Sequence, residues 1–204
     1  MEPYQYSHAC MITAHNNSYV SVASDDDRVR YLLGKQGKKT LLVIGLNPSS
    51  ANEKKLDPTT RIIEKIALNH GYDGWYIVNL YPLRCAKPSN LPKRRKVDVY
   101  TRNLVFIKEY LVNNCQSVGA VCLGWGNHID HYPYLKEARD AILAVLTHYD
   151  FPWLCLGVTK AGHPIHPSPL SINTRFGGPN KAALMTYSGS VSYTHLTLPT
   201  NRCV

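Results

Sequence analysis

Thr40-Leu-Leu-Val-Ile-Gly-Leu-Asn-Pro-Ser-Ser50 is the stretch that decides the fold. Its first seven residues form an unbroken apolar run rich in β-branched side chains, the length of a strand and too short for an ordinary helix. A strand without alternation is buried on both faces, which is the setting of a parallel sheet covered by helices on each side. The run ends at Asn47-Pro48, where proline has no N–H for a ladder and biases its predecessor toward extended backbone. Beyond it, Asp57-Pro58-Thr59-Thr60 offers a helix cap with proline in the first turn. Ile62, Ile63, Ile66 and Ala67 then recur at helical spacing up to a stop at Asn69-His70-Gly71.

The same alternation extends along the chain. Trp75-Tyr-Ile-Val-Asn-Leu80 reads as a second buried strand, 118–123 (VGAVCL) as a third and 152–158 (PWLCLGV) as a fourth. Helices are predicted over 97–113, where Leu104, Ile107, Lys108 and Leu111 share a face, and over 134–148. The proline-rich 82–96 reads as a loop, 163–169 as another, and a last helix is expected from about Pro179. Toward the N-terminus, 18–23 and 28–33 alternate on either side of Asp25-Asp26-Asp27, a β-hairpin or edge pair. The expectation is an α/β protein: a three-layer α/β/α sandwich with a mainly parallel four-stranded central sheet and an N-terminal β-hairpin. No repeat or linker interrupts 1–188, so one domain is expected there.

Composition narrows the function classes. At 204 residues, 44% hydrophobic and 18% charged, the chain is globular rather than disordered. No apolar run reaches the ~18–20 residues of a membrane span, and no basic start leads into an apolar leader. The expected compartment is the cytoplasm, with no membrane partner. The six cysteines include no Cys-x-x-Cys pair, which argues against a zinc ribbon. His128, Asp130 and His131 lie close together, but no further ligand is evident, so no metal and no cofactor are expected. A formal net charge of +9, densest at Lys93-Arg94-Arg95-Lys96 with Lys87 nearby, favours polyanionic partners, nucleic acid first. Val191–Thr200 (VSYTHLTLPT) resembles a translated sequencing adapter, and 189–204 is set aside as a non-native tail.

In open α/β sheets, ligands bind beyond the carboxyl ends of the strands. Here those ends bring Asn47, Asn79, Trp125 and His166 to one rim. Each also has an ordinary reading. Asn47 before proline is a common turn residue, Asn79 can cap a neighbouring backbone, Trp125 can pack in the core, and His166 can sit on a surface loop.

In order, Gly45-Leu-Asn-Pro-Ser49, Val78-Asn79-Leu80, Leu123-Gly-Trp-Gly-Asn-His128, and His166-Pro-Ser-Pro-Leu-Ser171 with Arg175-Phe-Gly-Gly178 resemble the motifs of the uracil-DNA glycosylase superfamily. Gly-Leu-Asn-Pro resembles its mismatch- and thymine-specific branch, which carries Asn where the fastest enzymes carry Asp. A closer resemblance covers about 30–170, to the DUF1643 family. It rests on Arg30-Tyr-Leu-Leu, Leu42-Val-Ile-Gly-Leu-Asn-Pro-Ser-Ser-Ala51, Asp57-Pro-Thr, Val78-Asn-Leu-Tyr-Pro and Leu156–Pro167. The resemblance implies a uracil-DNA glycosylase-like sandwich and a monofunctional DNA glycosylase for a modified or damaged pyrimidine, in repair or against modified phage DNA. Asn47 would position the water, and His166 would donate to the departing base as charge develops. Asn79 would read the base edge, with Tyr81 and Trp125 as two candidates for stacking. Pro48, Ser49, Ser50, Pro167, Ser168, Ser171 and Arg175 would hold the DNA backbone. The expected partner is DNA, duplex or single-stranded, met by a monomer. Two other classes stay open: a non-catalytic nucleic-acid or nucleotide-binding module, and a hydrolase of free nucleosides.

Overall fold

The structure is a computed structural model that describes residues 10–14 and 19–189, with side chains over 19–189. Its strands are β1 (Cys10–Ala14), β2 (Tyr19–Ser24), β3 (Arg30–Lys35), β4 (Thr40–Gly45), β5 (Gly74–Asn79), β6 (Val118–Leu123), β7 (Trp153–Cys155) and β8 (Met185–Thr186). Its helices are α1 (Pro58–Asn69), α2 (Val97–Asn114), α3 (Pro133–Leu146) and α4 (Pro169–Phe176). One eight-stranded sheet runs in the order β1-β2-β3-β5-β4-β6-β7-β8.

The four strands expected from apolar runs lie side by side and pair in parallel, β5 and β6 flanking β4, and β7 beside β6. The sheet is nevertheless wider and more mixed than four parallel strands. The hairpin of β2 and β3 does not stand apart. It joins β5 antiparallel through β3, and β1 extends it. At the other edge β8 pairs antiparallel with β7. Alternation along β4 explains the layers. Leu41 and Val43 pack with Ile63 and Ala67 of α1. Leu42 and Ile44 face Ile107 and Leu111 of α2 and Leu135, Ala138 and Ile142 of α3. The helix α4 joins the first layer, where Ile172 meets Ile62 and Ile66.

The last helix lies earlier than expected. Residues from Pro179 form no helix, whereas Pro169–Phe176 do. Three local signals set its limits: Ser168 accepts the Ser171 amide, Pro169 occupies the first turn, and Gly177 closes the end in the left-handed region at φ 71°. The fourth strand also shortens to three residues. Of the 189–204 tail, only residue 189 lies among the described residues. Among the described residues no helix is long and apolar enough to cross a membrane.

Connection order creates the crevice. After β4 the chain crosses through α1 to β5 on one flank, while β6, on β4's other flank, leads through α3 to β7. The two loops leaving β4 and β6 therefore part at their carboxyl ends, and a ligand site forms there.

Candidate active site

A cavity of about 600 Å³ opens at this point, a size typical of small-molecule and cofactor sites. Asn47, Asn79, His166, Ser49, Ser50, Ser168, Ser171 and Arg175 all line it. Three of the four residues expected on one rim from separate strand ends, Asn47, Asn79 and His166, therefore share one space.

Asn79 ends β5 and is 1% exposed. Among the described residues neither its amide nitrogen nor its amide oxygen has a partner. Both its donor and its acceptor are therefore open to whatever occupies the cavity. Two neighbours keep it there. Asn103 of α2 donates to the Asn79 backbone carbonyl at 2.9 Å. Gly45, paired beside it on β4, leaves the space the amide occupies, since a Cβ at that position would lie 2.7 Å from Asn79 Oδ1.

Asn47 sits one turn beyond β4. Its Nδ2 donates to the Cys85 carbonyl at 2.7 Å and to the Pro48 carbonyl at 3.0 Å. The amide is thereby fixed in one orientation, with Oδ1 left as an uncommitted acceptor. A fixed acceptor in a cavity can orient a water molecule, but a neutral amide cannot remove its proton as a strong base.

His166 lies in the loop after β7. Burial pushes its pKa down to about 4, nearby His128 adds to that, and Asp57 opposes it. The ring is therefore neutral near pH 7 and can donate one N–H. Its position depends on Gly126, whose φ of +70° places it in the left-handed region and which approaches so closely that a Cβ would meet His166 Cβ at 2.9 Å. The Gly126 N–H also ties to the Pro164 carbonyl at 2.9 Å.

Two expected stackers are misplaced. Trp125 is 1% exposed and belongs to the core beneath α2 and α3. Tyr81 is buried in the same cluster, packs against the Tyr134 ring at 5.1 Å, and its hydroxyl accepts the Lys96 N–H at 3.0 Å. Neither lines the cavity, so neither serves as a base platform. Pro48 and Pro167 are buried behind the rim, and the Pro48 carbonyl is already taken by the Cys85 N–H at 2.8 Å. Proline has no N–H, so neither can donate to a phosphate. Ser168 is occupied as the α4 cap, its Oγ bonded to the hydroxyl and amide of Ser171. Ser50 and Arg175 remain exposed on the rim.

Three further cavity residues stand within the quoted motifs but carry no role at the site in the sequence reading. Leu170 stands on the rim at 76% exposed, the most exposed large apolar side chain among the described residues. The apolar residue between Pro169 and Ser171 was its visible signal. Asp57 accepts the Thr60 N–H at 2.8 Å as the α1 cap and also faces the cavity. Arg30 lines the inner wall while 2% exposed. Its signal was a lone charge in an apolar strand, Val29-Arg30-Tyr31-Leu32-Leu33.

The histidines beside the rim hold each other. His128 Nδ1 lies 2.8 Å from His131 Nε2, and His163 Nε2 lies 2.8 Å from Asp130 Oδ2. Among the described residues no group of three or more His, Cys, Asp or Glu side chains is arranged to hold a metal ion. The basic cluster Lys93–Lys96 is exposed, with Arg95 paired to Glu137 and laid over the Tyr100 ring at 4.6 Å.

Comparison with known proteins identifies one match. A family model described as "Protein of unknown function (DUF1643)" matches residues 30–168, more than half of the chain. Among curated proteins and among solved structures, none matches.

Proposed function

We propose that this chain, which belongs to the DUF1643 family, is a monofunctional DNA N-glycosylase on a uracil-DNA glycosylase-like sandwich. It hydrolyses the bond between deoxyribose and a modified or damaged pyrimidine. The observation that carries the reading is the Asn79 amide, buried on the cavity wall with both its donor and its acceptor unpaired. A pyrimidine presents an adjacent donor and acceptor on one edge, and a single amide satisfies both at once. Such an edge becomes available when the nucleotide leaves the stack.

The chemistry then follows from the residues around it. As the C1′–N1 bond breaks, negative charge moves onto the base and the sugar becomes cation-like. Neutral His166 donates to a base carbonyl oxygen, a contact of the kind whose removal lowers the rate by ~10²–10³. Asn47 Oδ1 accepts a hydrogen bond from the attacking water. The water oxygen bonds to C1′, its proton passes to solvent, and the base anion takes a proton as it leaves. Because Asn47 supplies no charge, this arrangement suits a base that is already a good leaving group.

DNA contacts fit the rim. Exposed Leu170 is placed to fill the gap a flipped nucleotide leaves, as apolar wedges do in bent duplexes. Ser49, Ser50, Ser171 and Arg175 surround the mouth, and the exposed basic cluster supplies salt-sensitive attraction. The enzyme acts as a monomer on cytoplasmic DNA, in repair or against modified phage genomes. The test is alkaline nicking across oligonucleotides that carry deaminated, mismatched or hypermodified pyrimidines. Abasic sites are expected with at least one of them, and both His166→Ala and Asn79→Ala should abolish their formation. No abasic site anywhere in the panel, or undiminished cleavage by both variants, would refute the assignment.

A further inference from the structure

One charged group in the cavity is used neither by this chemistry nor by the packing. Arg30 is 2% exposed, and among the described residues it forms no ion pair. Its Nη1 donates to the Ala51 carbonyl at 2.8 Å, its Nε is buried without an acceptor, and its Nη2 has no partner among the described residues. The two carboxylates nearest in effect are committed elsewhere: Asp27 to Arg84 at 2.8 Å, and Asp57 to the α1 cap. Arg84 also crowds it, because both guanidinium groups donate to the Ala51 carbonyl. Burial and this like charge pull its pKa down to about 9, against the opposing pull of Asp57 and Asp27.

The strand is bent to place this group where it is. On β2, Val22 pairs with Leu32 but Ala23 pairs with Arg30, so Tyr31 is an extra residue, a β-bulge. Along an unbroken β3, Arg30 would alternate away from Leu33, toward the face covered by α2 and α3. The bulge turns it to the face shared by Leu33, Ile77 and Asn79, on which the cavity opens. Bulges beside functional sites re-aim side chains in this way. A purely structural arginine would engage its whole fork, as Arg84 does, with Nη1 on the Ser49 and Ala51 carbonyls and Nε and Nη2 on the Asp27 carboxylate. Arg30 leaves most of its fork unused.

We infer that Arg30 is an anion-binding point: the ligand of this cavity carries an anionic oxygen group, carboxylate or phosphate, that pairs with the guanidinium while a neutral polar edge meets Asn79. The inference rests on reading the cavity as a base pocket, and it narrows the substrate class. The anion has two possible sources, an acidic substituent on the base itself or the phosphate of a nucleotide. A guanidinium serves either one by bidentate pairing.

Calorimetric binding of two matched pairs tests this: 5-carboxyuracil against uracil, and deoxyuridine 5′-monophosphate against deoxyuridine. At least one acidic member is expected to bind ten-fold or more tightly than its neutral partner. The pair that shows the preference identifies the source. Arg30→Met should erase the preference, and Arg30→Lys should retain part of it. Should Arg30→Met not fold, the Arg30 Nε–H resonance of the wild type serves instead; it should move with the acidic ligand and stay in place with the neutral one. Equal affinities within both pairs, failure of both acidic probes to bind, a preference that survives Arg30→Met, or an unmoved resonance would overturn the inference. Nicking assays on the same preparations keep the two readings apart. Acidic preference without abasic sites sustains the anion point and removes the glycosylase. Nicking of uncharged lesions without acidic preference does the reverse.

Discussion

Lowering the pH from 7 to 4 should unfold this protein more readily through His166, and the size of the effect can be worked out. Unfolded, the imidazole takes a proton at its ordinary value of 6.5, whereas in the folded cavity it does so only at about 4. Between those values the unfolded chain binds the extra proton, so stability falls as pH falls. The loss begins near pH 6.5, is complete near pH 4 and is absent above pH 7. At 1.36 kcal/mol per pH unit the gap is worth about 3 kcal/mol, reduced toward about 2 by the part of the ring that still faces the cavity. The groups facing it are His128, which lowers its pKa, and Asp57, which raises it. Urea denaturation midpoints at pH 7.5 and pH 4.5 for wild type and His166→Gln isolate the imidazole's contribution, because all other titrating groups are common to both proteins. The variant should lose less stability than wild type by that amount. Identical losses, or an imidazole that titrates near 6.5 by NMR in the folded protein, would refute the burial assigned to His166.

Asn47→Asp should slow nicking at least ten-fold and lower the urea midpoint by about 1–3 kcal/mol, because a carboxylate oxygen would replace the donor 2.7 Å from the Cys85 carbonyl. A faster enzyme would show that the anchor is unimportant. Gly126→Ala should cost roughly 1–3 kcal/mol from its positive-φ, extended-ψ backbone alone and displace His166, so calorimetry and nicking should fall together. Tyr81→Phe should leave nicking unchanged, and Trp125→Ala should cost about 3–5 kcal/mol of stability as a buried aromatic; a selective loss of base binding in either would restore it as a stacking platform. Leu170→Ala should impair cleavage of duplex more than of single-stranded oligonucleotide, measured as the ratio of the two rates, since only the duplex must be held open.

The central strands were legible because a buried parallel strand announces itself as an apolar run, and 40–46, 75–80 and 118–123 each did so. The rim residues Asn47 and Asn79 followed from where the first two runs stop, and His166 from the loop after the fourth, 152–158. What sits on which side of the sheet did not follow. Trp125 continues the face of Leu123 toward α2 and α3, while the cavity opens on the face of α1, and nothing local to Gly124-Trp125-Gly126 distinguishes the two. Arg30 was hidden for a related reason. Its direction depends on one extra residue at Tyr31, a tertiary choice made by pairing with β2. The helix α4 was obscured by its own proline-rich entry, which reads equally as loop. Its signals, Ser168 at the cap and Gly177 at the exit, were present but gave way to the prolines. The unpaired state of Asn79 depends on Gly45 across the sheet and Asn103 from α2, contacts that no single segment displays.

A wall residue whose amide finds no partner among the described residues ties heat resistance against usefulness. Selection in the laboratory for survival at high temperature alone would steadily favour leucine or methionine in place of Asn79, together with a filled space at Gly45. The hardier descendants would keep the sheet, the helices and the cavity outline, and they would lose the amide on which the proposed recognition rests.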